Sequence, residues 1–307
     1  MKISSIKSYI SQPFHFKLPN LGSLWMLVAA LGFAIMGTLV KIGSQKFSSA
    51  DLVFYRSLFG LLAIYLYIFL RKLPLATPVM GKQMSRALVG FTSLVLFFYA
   101  ISKLALATAI TLNYTSPLFL AIFMPLFLKD EFLNKKPKKI LYIAIVIGFI
   151  GMVFLLKPSL ESKNWLAGTL GLLSGVGASL AYIHVKQLGN ANEPDWRTVF
   201  YFTLVSTIAS GGWMLSQYFT VVTWQDMPLL LGLGVSATIA QLAMTRAYRT
   251  GNTLTVASLA YLTVVLASLF GWWIWHEQLS LQEWLAIGLI VLSGIISIHS
   301  SNTPTKN

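Results

Sequence analysis

The sequence contains no cysteine, only nine Asp and Glu residues among 307, and only 10% charged residues in all. Without cysteine, disulfides, thiolate metal sites and cysteine nucleophiles are excluded. The four histidines are scattered, without the short spacing of a metal site. They are His15, His184, His276 and His299. We therefore expect no metal, no cofactor and no catalytic centre.

Apolar residues, by contrast, are abundant. They make up 56% of the chain, and the mean hydropathy is +0.72, so a soluble core of this size would not bury them. A membrane-spanning helix needs about 20 apolar residues, so this length holds ten spans and no separate soluble domain. The predicted spans are 23–42, 50–70, 86–102, 105–128, 139–156, 165–187, 197–216, 228–248, 252–275 and 281–299. Only Ser102 and Lys103 separate the third span from the fourth, and if these two spans formed one helix the total would be nine.

The distribution of positive charge predicts the orientation, because Lys and Arg concentrate in short cytoplasmic loops. With both termini in the cytoplasm, most of the 23 Lys and Arg residues fall on the cytoplasmic side, Arg86 at the start of the third span among them. The net charge of +14 is explained by this topology and implies no nucleic-acid partner. Ten spans fit this pattern.

The two halves of the chain repeat each other weakly. A constant offset aligns Phe54 with Phe200 and Glu131 with Glu277. A unit of five helices is odd, so its second copy must be inverted in the membrane. The loop directly after Glu131 holds four lysines and the loop directly after Glu277 holds none, as expected if these loops face opposite compartments. We expect an all-α integral membrane protein with a tail at 1–22, one repeat at 23–156, its inverted copy at 165–299 and a tail at 300–307.

Several short segments together resemble one family. They are Phe54-Tyr55-Arg56, Arg86-Ala87-Leu88-Val89-Gly90, Tyr99-Ala100-Ile101, Thr115-Ser116-Pro117-Leu118-Phe119 and Gly148-Phe149-Ile150-Gly151. Over about residues 22–300 the chain resembles the EamA family of the drug/metabolite transporter superfamily. The resemblance implies ten helices from two five-helix repeats, a bacterial-type inner membrane and a small-molecule substrate. The first half is most similar to the branch that contains S-adenosylmethionine and riboflavin uptake proteins.

Function follows as an expectation from the repeat and the resemblance. Inverted repeats are typical of transporters that bind substrate near the midplane. No G-x-x-x-x-G-K loop is present, so we expect alternating access without ATP hydrolysis, and a small polar or amphipathic metabolite, such as an amino acid or a related compound. S-adenosylmethionine, riboflavin and organic anions are alternative substrates. A non-transporting receptor or scaffold, or an integral membrane enzyme, is the alternative from another class.

A polar cluster in the fourth predicted span is the first candidate site. Asn113, Tyr114 and Thr115 lie about eight to twelve residues inside this apolar segment, near the bilayer centre. Pro117 frees a backbone carbonyl about one turn earlier, and such groups are tolerated where they line a cavity or meet another helix. We favour a substrate cavity, with hydrogen bonding between helices as the alternative. Tyr261, in the corresponding part of the second half, is the expected aromatic partner.

Four further residues complete the candidate site. Arg56 lies about 9 Å into the second predicted span and is placed to attract an anion, the alternative being snorkelling to the surface or pairing with Asp51 or with helix-end carbonyls. Gln241 is an amide in an apolar helix and must find substrate or a neighbouring helix. Tyr182 and His184 lie near the cytoplasmic end of the sixth predicted span, where substrate or proton binding competes with a plain interfacial position.

Overall fold

The computed structural model of the chain describes residues 21–104, 106–129, 133, 137–157, 164–216, 220–276 and 278–302. All regular structure in this part is helical. The helices are α1 (Leu21–Gly43), α2 (Ser49–Arg71), α3 (Met80–Lys103), α4 (Leu106–Asn113), α5 (Ser116–Phe127), α6 (Lys139–Leu156), α7 (Trp165–Asn190), α8 (Asp195–Leu215), α9 (Met227–Thr250), α10 (Thr253–Ala260), α11 (Leu262–Trp275) and α12 (Leu281–Asn302), with a 3₁₀ turn at Trp224–Asp226.

Ten segments in the described part are long and apolar enough to cross a membrane. Their positions confirm the ten predicted spans, and the third and fourth are separate helices. The fourth consists of α4 and α5, and the ninth consists of α10 and α11. We call the side where α1 begins, at Leu21, the near side, and the side where it ends, at Gly43, the far side.

Each principal pair of packed helices combines the two halves of the chain. Helix α1 packs along α9, α3 along α7, α2 along α8 and α6 along α12. If each span of one half is exchanged with the corresponding span of the other half, the pair α1–α9 becomes the pair α7–α3. The pairs α2–α8 and α6–α12 stay the same under this exchange. The packing is therefore that of two five-helix repeats related by a two-fold axis, and a space at the centre is lined by both repeats.

The third helix begins earlier than predicted. It starts at Met80 rather than at residue 86, so Arg86 lies inside the helix and is only 2% exposed. Lys82 and Gln83 lower the hydropathy of this first stretch, which is why the sequence pattern ends the span too late. Tertiary contacts override that pattern: the Gln83 amide is buried and donates to Glu193 at 3.0 Å. The expectation that Arg86 is one of the charges of the cytoplasmic surface is therefore wrong.

Polar contacts hold the helix ends together on both sides. On the near side, Glu193 accepts from Thr77 (2.6 Å) and pairs with Arg197 (3.1 Å), while Asp195 pairs at 3.1 Å with both Arg246 and Arg249. On the far side, one ion pair joins Lys46 to Asp226 and another joins Lys157 to Glu283. The described carboxylates thus lie near helix ends, as the sequence indicates.

Some expectations lie outside the described residues. The roles of Glu131 and Glu277, most of the N-terminal tail and the end of the C-terminal tail belong to this group. Leu21 and Gly22, which the prediction assigned to the tail, already form the first turn of α1.

Candidate functional site

The guanidinium group of Arg86 is buried at the centre of the helix bundle. Its carbon atom lies 4.1 Å from the centroid of the Phe202 ring of α8. Its Nε and one Nη atom have no hydrogen-bond partner among the described residues. Gly90, one turn further along α3, leaves the room for this contact: a Cβ there would lie 3.0 Å from the Arg86 nitrogen and 3.3 Å from the Phe202 ring. The segment Arg86–Gly90 is therefore a structural unit that places a cation beside an aromatic face.

Arg56 reaches the same region from α2. It is 9% exposed, and one Nη donates to the Met36 sulfur at 3.4 Å. The alternative of a pair with Asp51 is wrong, because that carboxylate accepts from Thr220 (2.8 Å) and from the Ser48 backbone (3.0 Å). The snorkelling alternative is also wrong, since the side chain is buried.

A small cavity connects Arg56 with Phe202. Its volume is about 10 Å³, which is room for about one water molecule, so the helices are closed around it. Gln241, Thr203 and Thr238 are among the other residues that line it. Thr238 also borders a groove of about 750 Å³ that opens on the near side. The groove and the arginine cavity thus share this threonine as a lining residue.

No carboxylate neutralises either arginine within the described part of the chain. The ion pairs there involve other cations, namely Lys46, Lys157, Arg197, Arg246 and Arg249. Instead, both arginines lie beside the same aromatic ring: Arg86 is 4.1 Å from the centroid of the Phe202 ring, and Arg56 lines a small cavity together with Phe202. A buried arginine stays charged because its pKa is too high for deprotonation in a protein. The site thus carries two positive charges in a region that otherwise disfavours charge.

Four tyrosines form a second part of the site, which we call the tyrosine cluster: Tyr114, Tyr182, Tyr248 and Tyr261. Their hydroxyl groups are near enough to interact electrostatically. The rings of Tyr182 and Tyr248 stack, with centroids 4.8 Å apart and planes at 13°. The hydroxyls of Tyr248 and Tyr261 are buried without a hydrogen-bond partner among the described residues. Tyr182 also interacts with Arg86, so the cluster and the arginines form one continuous site.

His184 connects two helices beside this site. Its Nδ1 donates to the Leu180 carbonyl at 2.7 Å, which leaves Nε2 to accept from the Ser85 hydroxyl at 3.0 Å. Ser85 precedes Arg86 in α3, so this contact fixes the helix that carries the arginine. The ring is partly buried and bridges α3 and α7, so it is not a plain interfacial histidine.

The break between α4 and α5 is held by side chains of its own residues. Thr115 donates to the Leu112 carbonyl at 2.6 Å, and Pro117 lies in the first turn of α5. The Asn113 amide donates to Ser174 of α7 at 3.0 Å. In this conformation Asn113 therefore forms a hydrogen bond between two helices, which was the alternative to a position in a substrate cavity. Tyr114, at the same break, belongs to the tyrosine cluster.

Sequence reasoning missed Arg86, Phe202 and Tyr248. Arg86 was assigned to the membrane edge because the span boundary was drawn too late. Phe202 and Tyr248 are ordinary aromatic residues in apolar helices, and their position beside an arginine or another tyrosine depends on which helices pack together. The sequence contains one signal for Arg86. Like Arg56, it belongs to a segment that resembles the family, which marks it as a candidate site residue.

Comparison with known proteins adds independent findings. The profile of the EamA-like transporter family matches residues 20–157 and again residues 165–298. The chain is 32% identical to a pseudopaline exporter of Pseudomonas aeruginosa over 83% of this chain and 88% of that protein. It is 28% identical to a riboflavin transporter of Vibrio cholerae, over 90% and 92%. An S-adenosylmethionine uptake transporter of Rickettsia felis is 23% identical, over 82% and 84%. One crystal structure has the same fold, with a TM-score of 0.79 and 17% identity over 92% of this chain and 98% of that one.

Proposed function

The chain belongs to the EamA-like transporter family, and from this premise we propose that it carries a small polar or amphipathic metabolite across a membrane by alternating access of its two repeats. A multi-pass membrane transporter, rather than an enzyme, is what the family and the named relatives establish. The finer proposal concerns the substrate and the site. We also propose that the protein lies in a bacterial-type inner membrane with both termini in the cytoplasm. The charge distribution described above supports this orientation.

One observation carries the proposal: a charged, aromatic site is enclosed between helices of both repeats. Arg56, Arg86 and Tyr114 come from the first repeat, and Phe202 and Tyr248 come from the second. Movement of one repeat against the other would therefore open the site, as in transporters that bind substrate at the interface of inverted repeats. A scaffold has no need for such a site, and a receptor needs it open to one side of the membrane only.

The contacts at the two ends fit the two gates of alternating access. Near-side opening requires Glu193 of the second repeat to separate from Thr77 and Gln83 of the first, and far-side opening requires Lys46 to leave Asp226. The far-side pair is exposed, and exposed ion pairs are worth only about 0–1 kcal/mol, so substrate binding can shift the balance on that side. We propose that the groove beside Thr238 is the near-side route to the arginine cavity.

The candidate residues divide into two proposed roles. Residues that contact substrate are Arg56, Tyr114, Tyr182, Gln241 and Tyr261. Residues that position the site are Asn113, Thr115, Pro117 and His184. The second group is assigned by its contacts with neighbouring helices, which hold the break and helix α3 in place.

The experiment begins with a thermal-shift screen of detergent-purified protein against amino acids, S-adenosylmethionine, riboflavin and dicarboxylates. A ligand that binds the native state raises stability by mass action. The compound that gives a saturable shift is then tested for counterflow in proteoliposomes. We expect both binding and counterflow, and folded protein that moves none of these compounds would contradict the proposal.

A variant of the near-side route provides the matched control. In Gly60→Val the new Cβ would lie 3.1 Å from both Thr203 and Thr238, the residues between groove and cavity. We expect counterflow to fall strongly while the protein stays folded. Gly37→Val, whose Cβ would meet nothing within 4 Å, should leave counterflow unchanged. Equal effects of the two variants would remove the proposed route.

A further inference from the structure

Resting on the proposed function, we infer that the substrate is an organic anion, and that Arg56 and Arg86 together bind its carboxylate groups near the membrane midplane. Arg86 is the new element of this site, since its position in the sequence had suggested only a surface charge. The inference rests on charge balance, on the direction of the free donors and on the depth of the two side chains.

Charge balance is the first argument. A buried cation normally has an acidic partner, because removing a charge from water without one is expensive. The described carboxylates near the bundle are all engaged elsewhere: Asp51, Glu193, Asp195, Asp226 and Glu283. Two buried arginines thus lack a counter-charge within the described chain, and a bound anion would supply it. Intramembrane charges of this kind mark substrate pathways.

The direction of the free donors is the second argument. The Arg86 guanidinium carbon lies 4.1 Å from the centroid of the Phe202 ring, and the N–H groups of a guanidinium lie in its own plane. Nε and one Nη are buried and have no partner in the described part of the chain. Carboxylates accept hydrogen bonds from arginine in this plane, and such charge-assisted bonds are about twice as strong as neutral ones. The geometry therefore favours an oxyanion over a cation or a neutral ring.

Depth is the third argument. Arg86 lies about 9 Å from the near-side start of α3, and Arg56 about 10 Å from the far-side start of α2, at 1.5 Å per residue. Each side chain enters the bundle from its own side of the membrane, and both lie beside Phe202. An anion between them would balance both positive charges. An anion that enters from the near side would reach Arg86 first, and one that enters from the far side would reach Arg56 first. This arrangement suits a carrier that binds the same group in both of its open states.

The surrounding groups fit an anion with further polar or planar parts. Gln241 lines the cavity beside Arg56, and Tyr182 stands beside Arg86. These neutral donors and rings add specificity without adding a negative charge that would compete with the substrate. Cationic substrates are disfavoured, because the site has no acidic side chain among the described residues.

The test uses matched acids and amides as probes. Succinate, glutarate and phenylacetate are compared with their amides by thermal shift of the detergent-purified full chain. We expect at least one acid to raise the melting temperature saturably, and its amide to have no effect. Arg86→Gln and Arg56→Gln should each weaken apparent affinity by at least about tenfold, as expected for a charge-assisted contact. Arg71→Gln is the control, since Arg71 is exposed at the end of α2 and should leave the affinity unchanged.

Stability without ligand distinguishes a binding role from a structural one. If Arg86 is held ready for an anion, Arg86→Gln should raise the melting temperature of the ligand-free protein, because an uncompensated buried charge is removed. If its role is only to pack against Phe202, the same variant should lower it, and this result would overturn the inference. Arg86→Lys, which keeps the charge but not the planar donors, should retain only part of the affinity.

The outcomes separate the inference from the proposed function. A shift with acids that disappears in both arginine variants and persists in Arg71→Gln supports the inference. A shift and counterflow with neutral or cationic metabolites, but none with acids, overturns it while the transporter proposal stands. Folded protein that binds and moves none of the acids, amides, amino acids, S-adenosylmethionine or riboflavin contradicts both.

Discussion

The two interrupted spans, one in each repeat, differ in how their breaks are enclosed. All eight residues of α10 are buried, and Tyr261, which follows them at the break, is 0% exposed. At the break between α4 and α5, Asn113 and Tyr114 remain partly exposed. Corresponding positions of an inverted repeat thus have different surroundings.

Polar contacts show the same difference. Behind α10, Ser258 donates to Ser293 at 2.9 Å, and Ser293 donates to the Ala144 carbonyl at 2.7 Å, so three helices are tied together. At the other break, the Asn113 amide donates to Ser174 and joins two helices. We propose that the ninth span is a fixed wall of the site and that the fourth span adjusts during transport.

The largest expected effect comes from overfilling the fixed wall. A Cβ at Gly148 would lie 2.6 Å from the Tyr261 ring and 2.7 Å from the Ser293 hydroxyl. Because neither neighbour has room to move, Gly148→Leu should reduce the free energy of unfolding by about 3 kcal/mol or more, at or above the usual range for overpacking. Thermal unfolding and the yield of monodisperse protein in detergent measure this loss.

Two further glycine variants test whether the walls differ. Gly288→Leu, whose Cβ would meet nothing within 4 Å, should be close to neutral. Gly175→Leu would place its Cβ 2.4 Å from the Thr115 hydroxyl and 2.7 Å from the Leu112 carbonyl. We expect its loss to be smaller than that of Gly148→Leu, because the partly exposed break can shift. An equal or greater loss would show that both walls are fixed.

The sequence predicts the features that depend on local residue patterns, but not those that depend on contacts between distant helices. Apolar runs and the distribution of lysine and arginine are local features, and they predict the ten spans and the inverted repeat. Pro117 likewise predicts an interruption in the fourth span, because proline removes a backbone donor at a known place. No proline marks the break at Tyr261, and its enclosure depends on contacts with α6 and α12.

The site was predicted only in part for the same reason. Arg56, Gln241 and Tyr261 are unusual in apolar segments, so composition alone singles them out. The burial of Arg86 depends on Gln83 meeting Glu193, which is distant in the chain, and a hydropathy pattern contains no such information. For Asn113 the sequence favours a cavity and leaves a bond between helices as the alternative, and it does not specify Ser174 as a partner.

A hydroxyl deletion should have different effects at the two breaks. The Tyr261 hydroxyl is buried without a hydrogen-bond partner among the described residues, so Tyr261→Phe should raise the free energy of unfolding by about 1 kcal/mol. Tyr114 lies at the partly exposed break, and the nearby Thr263 hydroxyl has no hydrogen-bond partner among the described residues, so Tyr114→Phe should change stability by less than about 0.6 kcal/mol, the average for bonds between membrane helices. Reversible unfolding in mixed micelles measures both, and a loss of stability in Tyr261→Phe would show that its hydroxyl is satisfied.

The smallest expected effect concerns the contact between Asn113 and Ser174. Asn113→Ala, Ser174→Ala and the double variant form a thermodynamic cycle, which isolates the energy of the pair from other consequences of each change. We expect a coupling of about 0.6 kcal/mol. On the proposal that the fourth span adjusts during transport, this bond should be present in one state and weakened in another, so Asn113→Ala should change the rate of counterflow more than it changes stability. A substrate contact would behave differently: Asn113→Ala would weaken binding, and the cycle with Ser174 would show no coupling.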